Sequence, residues 1–519
     1  MTNAYVIMCK ITQPKWFFRN LILEGVSMQP LKDRFNYLFK STKGLVLVAI
    51  ALCALISAFF GSLSGPMADL GVKDVIVKTF NIDLVEAERE GRLIILYHVI
   101  AMAVIAIETY IITELVPMKE SQRVQINSTI TFGYLAAMIG GLPFAYWGTS
   151  WIMHGIYISG LVLIFFAGCM LAYALWPWRE EYKVKNKAYA HTKTGINLER
   201  IAFFSVSIVT LASALFGAIP GSFYGNGFFT FLAENVVREP IKSTLQKSII
   251  GHLHIMLALI AIACTLIICR YMDFKGILHK IAMPLMIFGS IVLSMGTWLV
   301  VPFEGVAHAV IYGGSTVAML GALLLVIFSW DKLIKEGLAE KGRKKGNFFQ
   351  ALAALVHDPL KFGVTWQMVF MNFTVSGVGI FVAVKLDEIF RNWPFMEEKL
   401  ILTGHWHILA TLTATILLLY YADFAGLKGK ARQWFGWTVI IFSDLAFGAV
   451  TIFELKPLFV DEGYRQPVTN LTNILGDIGL VAVLIALAAL MVWRLIDLLK
   501  KNGRWSAEVH EKLESYVEE

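Results

Sequence analysis

Eleven histidines occur in this 519-residue chain, and seven of them (His98, His154, His252, His254, His308, His405 and His407) fall in the first turns of long apolar runs. Neutral imidazole ligates haem iron, zinc or copper. Thiols and clustered carboxylates are scarce beside these seven, which weighs against a zinc-thiolate or carboxylate-bridged di-iron site. Ionisable groups within a bilayer are costly and mark function by default. His405 and His407 add a geometric hint, since residues at i and i+2 of an α-helix point about 200° apart. One helix can therefore present ligands to two sites. His279 lies at a span end and His191, His357 and His510 in polar segments, and none of these four is given a site role.

Twelve apolar runs carry these residues, near 44–64, 92–117, 126–148, 152–176, 200–222, 248–271, 279–301, 306–330, 364–386, 400–421, 434–456 and 470–496. Each is long enough to cross a ~30 Å hydrocarbon core as a helix at 1.5 Å per residue. The chain is 57% hydrophobic and 16% charged, with mean hydropathy +0.65. Soluble domains carry about 25% charged residues. The composition thus excludes a soluble enzyme, a secreted scaffold and a nucleic-acid binder, and predicts an all-α integral membrane protein. Of the five cysteines, Cys9, Cys53, Cys169, Cys264 and Cys269, four lie in apolar segments and read as packing residues. No Cys-x-x-Cys-His occurs, so covalent c-type haem is excluded.

Basic residues cluster in alternate loops, and that sets the orientation. Lys32, Arg34, Lys40 and Lys43 precede span one; Arg179, Lys183, Lys185, Lys187, Lys193 and Arg200 follow span four; Lys332, Lys335, Lys341, Arg343, Lys344 and Lys345 follow span eight. A loop of the other parity carries Asp83, Glu86, Glu88 and Glu90. The positive-inside rule then predicts both termini in the cytoplasm and the seven histidines in the outer third of the membrane. The histidines also repeat. His98 opens span two, His252-Leu253-His254 span six and His405-Trp406-His407 span ten. His154 with Tyr157 opens span four and His308 with Tyr312 span eight, with 154 − 98 = 56 and 308 − 254 = 54. The chain reads as a cytoplasmic segment 1–43, four-helix units 44–176, 200–330 and 364–496, and a cytoplasmic tail 497–519.

Twelve spans in three sets of four, a histidine on span two and a His-x-His on span ten resemble the catalytic subunit I of the haem-copper oxidase and nitric oxide reductase superfamily. The resemblance covers essentially the whole chain. It implies that His98 and His407 are the axial ligands of a low-spin haem b, that His405 is the proximal ligand of a second haem, and that His252 or His254 lies where that family holds its binuclear metal. It further implies a place in the cytoplasmic membrane of a prokaryote, exchange of electrons with quinol or another membrane redox partner, and companion subunits such as a cytochrome c or cupredoxin protein.

The chain departs from that pattern. Met295-Gly296-Thr297-Trp298 stands where the family has adjacent histidines, and the positions four beyond His252 and His254 are Met256 and Ala258, neither tyrosine nor glutamate. The usual copper ligands are thus incomplete, and a six-coordinate second haem between His405 and His254 or His252 becomes the expectation. Electron transfer is then the leading function. Two alternatives stand beside it. One is a nitric oxide or oxygen reductase with a non-haem iron or copper held by His252, His254 and His308, with Glu304. The other is a haem-free transporter with a histidine proton relay. His154 and His308 suit hydrogen bonding to haem propionates, or a quinol pocket with Tyr157 and Tyr312. Arg270, Glu108, Glu114, Asp444 and Glu454 are candidate proton-route residues.

Overall fold

In a computed structural model, residues 29–64, 70–82, 86–148, 150–186, 188–189, 195–223 and 241–500 are described, with the single positions 225, 228, 239, 503 and 505. Cys9, Asp83, Lys187, His191, Lys193 and His510 lie outside the described residues, as do most of the N-terminal segment and the tail; the side chains of Glu86, Glu88 and Glu90 are not described either. Twelve helices are long and apolar enough to cross a membrane, one at each expected run. We label them α1 (Thr42–Ser64), α2 (Glu86–Leu115), α3 (Glu120–Trp147), α4 (Trp151–Ala174), α5 (Leu198–Phe223) and α6 (Thr244–Tyr271). Next come α7 (Ile277–Leu299), α8 (Glu304–Glu340), α9 (Pro359–Val384), α10 (Phe395–Phe424), α11 (Gly429–Leu455) and α12 (Arg465–Leu499). The protein is an all-helical, multi-pass membrane protein. Lipid offers no partner for an open backbone group, and helices satisfy their own.

Several helices outrun their apolar stretch. The 37 residues of α8 span about 55 Å at 1.5 Å each. Lys332 and Lys335, expected in a loop, therefore ride on the projecting last turns, where Lys335 pairs with Asp331 at 2.6 Å. Helix starts are capped as their sequences direct. Ser243 and Gln246 form a reciprocal capping box on α6, and the Ser150 hydroxyl accepts from the Met153 amide on α4. These caps set where two of the histidine-bearing helices begin.

The tightest helix pairing recurs every four spans. The closest helix pairs are α3 with α4, α7 with α8 and α11 with α12, the third and fourth helices of each set. Glycine makes the approach possible. A Cβ at Gly160 would collide with the backbone of Ala137, and one at Gly314, 154 positions later, with the backbone of Leu293. Likewise a Cβ at Gly289 would lie 2.7 Å from the Ala318 amide and one at Gly479 2.5 Å from the Phe442 carbonyl. Without a hydrophobic drive between helices in lipid, such close backbone contact is what holds them. Gly160→Val is expected to cost about 1–3 kcal/mol by overpacking, measured as a lowered apparent Tm in detergent. Gly155→Val, at an open position of the same helix, should leave Tm unchanged.

Candidate functional site

The even-numbered helices start at one end of the bundle, so the topology gathers their histidines there. His98 lies twelve residues into α2, His252 eight into α6 and His405 ten into α10. At 1.5 Å per residue these rings sit about 12–18 Å below the helix starts, deeper than a first turn. The helix tops above them are tied by ion pairs: Lys247 to Glu304 at 2.7 Å joins α6 to α8, and Arg465 to Glu397 at 3.0 Å joins α12 to α10. Arg391 to the buried Glu398 at 2.8 Å holds the loop entering α10. On the α1–α2 side, the short helix Val72–Phe80 is anchored by Trp147, whose indole N–H donates to the Phe80 carbonyl at 2.6 Å.

Four imidazoles form two facing pairs. The rings of His98 and His252 are 6.2 Å apart between centroids and 12° from parallel. Those of His254 and His405 are 6.3 Å apart and inclined by 39°. Each of the four has Nδ1 against a backbone carbonyl: His98 at Ile94 (2.7 Å), His252 at Ser213 (2.9 Å), His254 at Ile250 (2.8 Å) and His405 at Ile401 (3.3 Å). A carbonyl only accepts, so in the neutral ring Nδ1 carries the proton and Nε2 the lone pair. All four Nε2 atoms are left as potential ligand atoms. Such a carbonyl on the far nitrogen is the usual support of a metal-bound histidine.

His252 is held most closely. Its carbonyl partner Ser213 lies on α5, and the Ser213 hydroxyl accepts from the Trp298 indole of α7 at 3.2 Å. One turn along α5, Gly217 has no side chain, and the His252 ring fills the space that a Cβ there would take. On the other pair, Gly379 of α9 packs against the His405 ring, where a Cβ would lie 3.1 Å from Cδ2. Just before it, α9 widens into a π-helical turn over Phe370–Val375, a distortion often found at functional sites. Trp406 lies edge-on to His254 at 4.8 Å and to His405 at 5.9 Å, and its buried indole N–H meets no acceptor. Ser213, Gly217, Trp298, Gly379 and Trp406 were not among the sequence candidates. Single glycines and a tryptophan carry no spacing signal; only the lateral order of helices reveals them.

The remaining candidates sit elsewhere. His407 is exposed and its ring neighbour is Tyr97, at 6.1 Å, so the ring set against His98 is His252 rather than the His407 implied by resemblance. His154 lies among Phe144, Trp151, Tyr157 and Phe228. His308 is exposed and stacks on Tyr312 at 6.3 Å. Tyr157 is buried while Tyr312 is half-buried. Glu304 is occupied by Lys247. Among the described residues no group of three or more His, Cys, Asp or Glu side chains converges on a point. The stretch with His252, His254, His308 and Glu304 therefore does not close into the three-ligand cluster expected for non-haem iron or copper.

Proton-route candidates are spread over the bundle. Arg270 pairs with Glu199 at 2.8 Å, Glu114 with Arg123 at 2.9 Å, and Asp444 accepts from Trp366 at 2.7 Å. Glu108, ten residues beyond His98 on α2, is buried with Oε1 unpartnered. Glu454 is buried directly against Gly404, the residue before His405. At the opposite end of the bundle, burial raises the Asp273 carboxyl, but hydrogen bonds from Lys275 and Tyr189 outweigh it and hold it below the usual carboxylate range. Against known protein-family models, curated proteins and solved structures, the chain finds no match.

Proposed function

We propose that this protein is a membrane-embedded b-type cytochrome of respiratory electron transfer, a divergent relative of the subunit I of haem-copper oxidases and nitric oxide reductases. The observation that carries the reading is the pairing of four tautomer-fixed imidazoles, at centroid separations of 6.2 and 6.3 Å, on helices α2, α6 and α10. An imidazole nitrogen binds a first-row metal at about 2.0–2.1 Å. With roughly 1.1 Å from nitrogen to ring centre, two rings clamping one ion stand about 6.2–6.4 Å apart. Two imidazoles complete the coordination of an iron whose macrocycle supplies four nitrogens, whereas isolated zinc or copper asks the protein for three or four ligands. The residues present therefore fit haem. The unpartnered buried Trp406 indole fits too, since an acidic edge group beside His254 and His405 would supply its acceptor.

Haem held this way supplies a one-electron couple. The protein's part is to fix the rings. The carbonyls of Ile94, Ser213, Ile250 and Ile401 orient them, Gly217 and Gly379 let neighbouring helices close over them, and the apolar bundle excludes water. We place the site near the extracytoplasmic side of a prokaryotic cytoplasmic membrane, from the distribution of basic residues. Quinol is the expected membrane partner, and a cytochrome c or cupredoxin subunit the expected partner outside.

The test is spectroscopic. Purified protein should give a reduced-minus-oxidised difference spectrum of b type and about two haems per chain by pyridine haemochrome. Carbon monoxide should leave the reduced spectrum unchanged. A folded, colourless preparation overturns the proposal. A carbon monoxide shift would move it to the gas-reducing alternative.

A further inference from the structure

We infer that the segment joining α8 to α9 binds the membrane surface: Lys341, Arg343, Lys344 and Lys345 take the headgroups of anionic phospholipids, while Phe348, Phe349 and Leu352 enter the same leaflet. No haem is needed for this role. The four basic residues are all exposed, and none pairs with an acid among the described residues. Lys335 and Lys361 close by are paired instead, with Asp331 and Glu336. After the basic run, Asn347 caps the short helix Phe348–Leu355, in which Gln350 is the only polar residue. Ala354 and Leu355 are buried, whereas Phe348, Phe349 and Leu352 remain 75%, 76% and 49% exposed.

Contacts with α8 fix how this helix lies. Just before its start, a Cβ at Gly346 would sit 2.9 Å from the Leu338 side chain. Near its end, the Ala354 carbonyl lies 2.6 Å from where a Cβ at Gly337 would be. Both ends therefore meet α8 at one level, and the short helix crosses α8 rather than running beside it. A helix laid across a membrane-spanning one lies along the membrane surface. Its level is marked by Trp330, Trp366 and Trp437, which pack on Phe362 at this end of α8, α9 and α11. Tryptophan collects at the membrane–water boundary. Gly337 stands about 10 Å beyond Trp330 along α8, within reach for an interfacial helix whose apolar face sinks about 5–10 Å. The chain re-enters the bundle with α9 at Pro359, soon after Leu355, so both ends of the segment are tethered to spans. Unpaired cations beside an exposed apolar face are complementary to a leaflet of anionic headgroups over an acyl boundary.

Two measurements on the full chain decide the matter. In the first, Phe349→Cys carries a nitroxide in nanodiscs of phosphatidylcholine and phosphatidylglycerol, with the unsubstituted protein, labelled alike, as the background. Oxygen should relax that nitroxide more than a water-soluble nickel chelate does. In the second, phosphatidylglycerol titrated into the detergent-solubilised protein should raise the apparent Tm, and phosphatidylcholine should not. Lys344→Gln combined with Lys345→Gln should raise the half-saturating phosphatidylglycerol concentration about tenfold or more. A nitroxide relaxed chiefly by the nickel chelate puts Phe349 in water and overturns the proposal. One shielded from both reagents means that protein covers the face, as a second copy or another subunit, and overturns it as well. Equal Tm shifts with both lipids, or an unchanged half-saturation in the double variant, overturn the headgroup assignment.

Discussion

Under the proposed haem reading, Gly217→Val is expected to remove the haem assigned to His98 and His252 and halve the haem per chain, with no change to the signal assigned to His254 and His405. The cause is local. The His252 ring lies in the volume a side chain at position 217 would occupy, and its Nδ1 is bonded to the Ser213 carbonyl on the same face of α5. A branched side chain there must either displace the ring or push α5 away from α6. Overpacking of this kind costs about 1–3 kcal/mol, and an axial ligand moved by even an ångström no longer reaches an iron. Gly217→Ala should give the same loss in milder form. Gly448→Val, at an open position on α11, should leave both signals and Tm intact. Haem content and EPR check the first effect and an apparent Tm in detergent the second. A Gly217→Val protein with two haems and unshifted Tm would show that the ring does not occupy that place.

Arg200→Ala is expected to be the most destabilising single change in the bundle, at about 3 kcal/mol or more. Arg200 is 1% exposed at the start of α5. Its guanidinium donates to the carbonyls of Pro117 at 2.7 Å, Ala174 at 2.5 Å and Trp176 at 3.5 Å, and it lies 3.5 Å over the Tyr182 ring. Ala174 is the last residue of α4, whose final carbonyls have no partner within the helix, and Pro117 and Trp176 follow the ends of α2 and α4 by two residues. One side chain thus closes the ends of two spans. The buried Ala174 carbonyl left without a donor costs roughly 1–3 kcal/mol, and the part-buried bonds to Pro117 and Trp176 and the Tyr182 contact are lost with it. Arg200→Lys should recover only part of the loss, because an ammonium lacks the planar fork that reaches three acceptors. The check is the apparent Tm of both variants in the same detergent; a shift of under about 2 °C for alanine, at roughly 2–4 °C per kcal/mol in a large chain, would contradict the assignment.

Arg200 illustrates a limit of reading charge from sequence. It stands in a basic loop cluster and serves the positive-inside argument, yet it is a buried structural plug. Trp298 is a similar case. In the sequence it is only part of the Met295-Gly296-Thr297-Trp298 stretch that departs from the pattern of the family the chain resembles, whereas in three dimensions its indole holds Ser213, which in turn holds His252. Glu304 looked like a fourth ligand beside His308 because the two share a helix face. Lys247, from a different helix, takes it instead.

Hydropathy alone was enough to locate all twelve crossings, since the cost of an unsatisfied backbone in lipid leaves a run of twenty apolar residues little choice but a helix. The 3.6-residue period was likewise enough to say that neighbours such as His252 and His254, or His405 and His407, must face apart. Neither rule says which helix stands beside which. Lateral order depends on where helices approach closely, at Gly160, Gly217, Gly314 and Gly379, and those contacts join positions 21 to 35 residues apart, on different helices. For that reason the choice of His252 over His407 as the ring opposite His98 belongs to the folded bundle: it follows from packing between helices, a property that no stretch of chain possesses before its neighbours arrive.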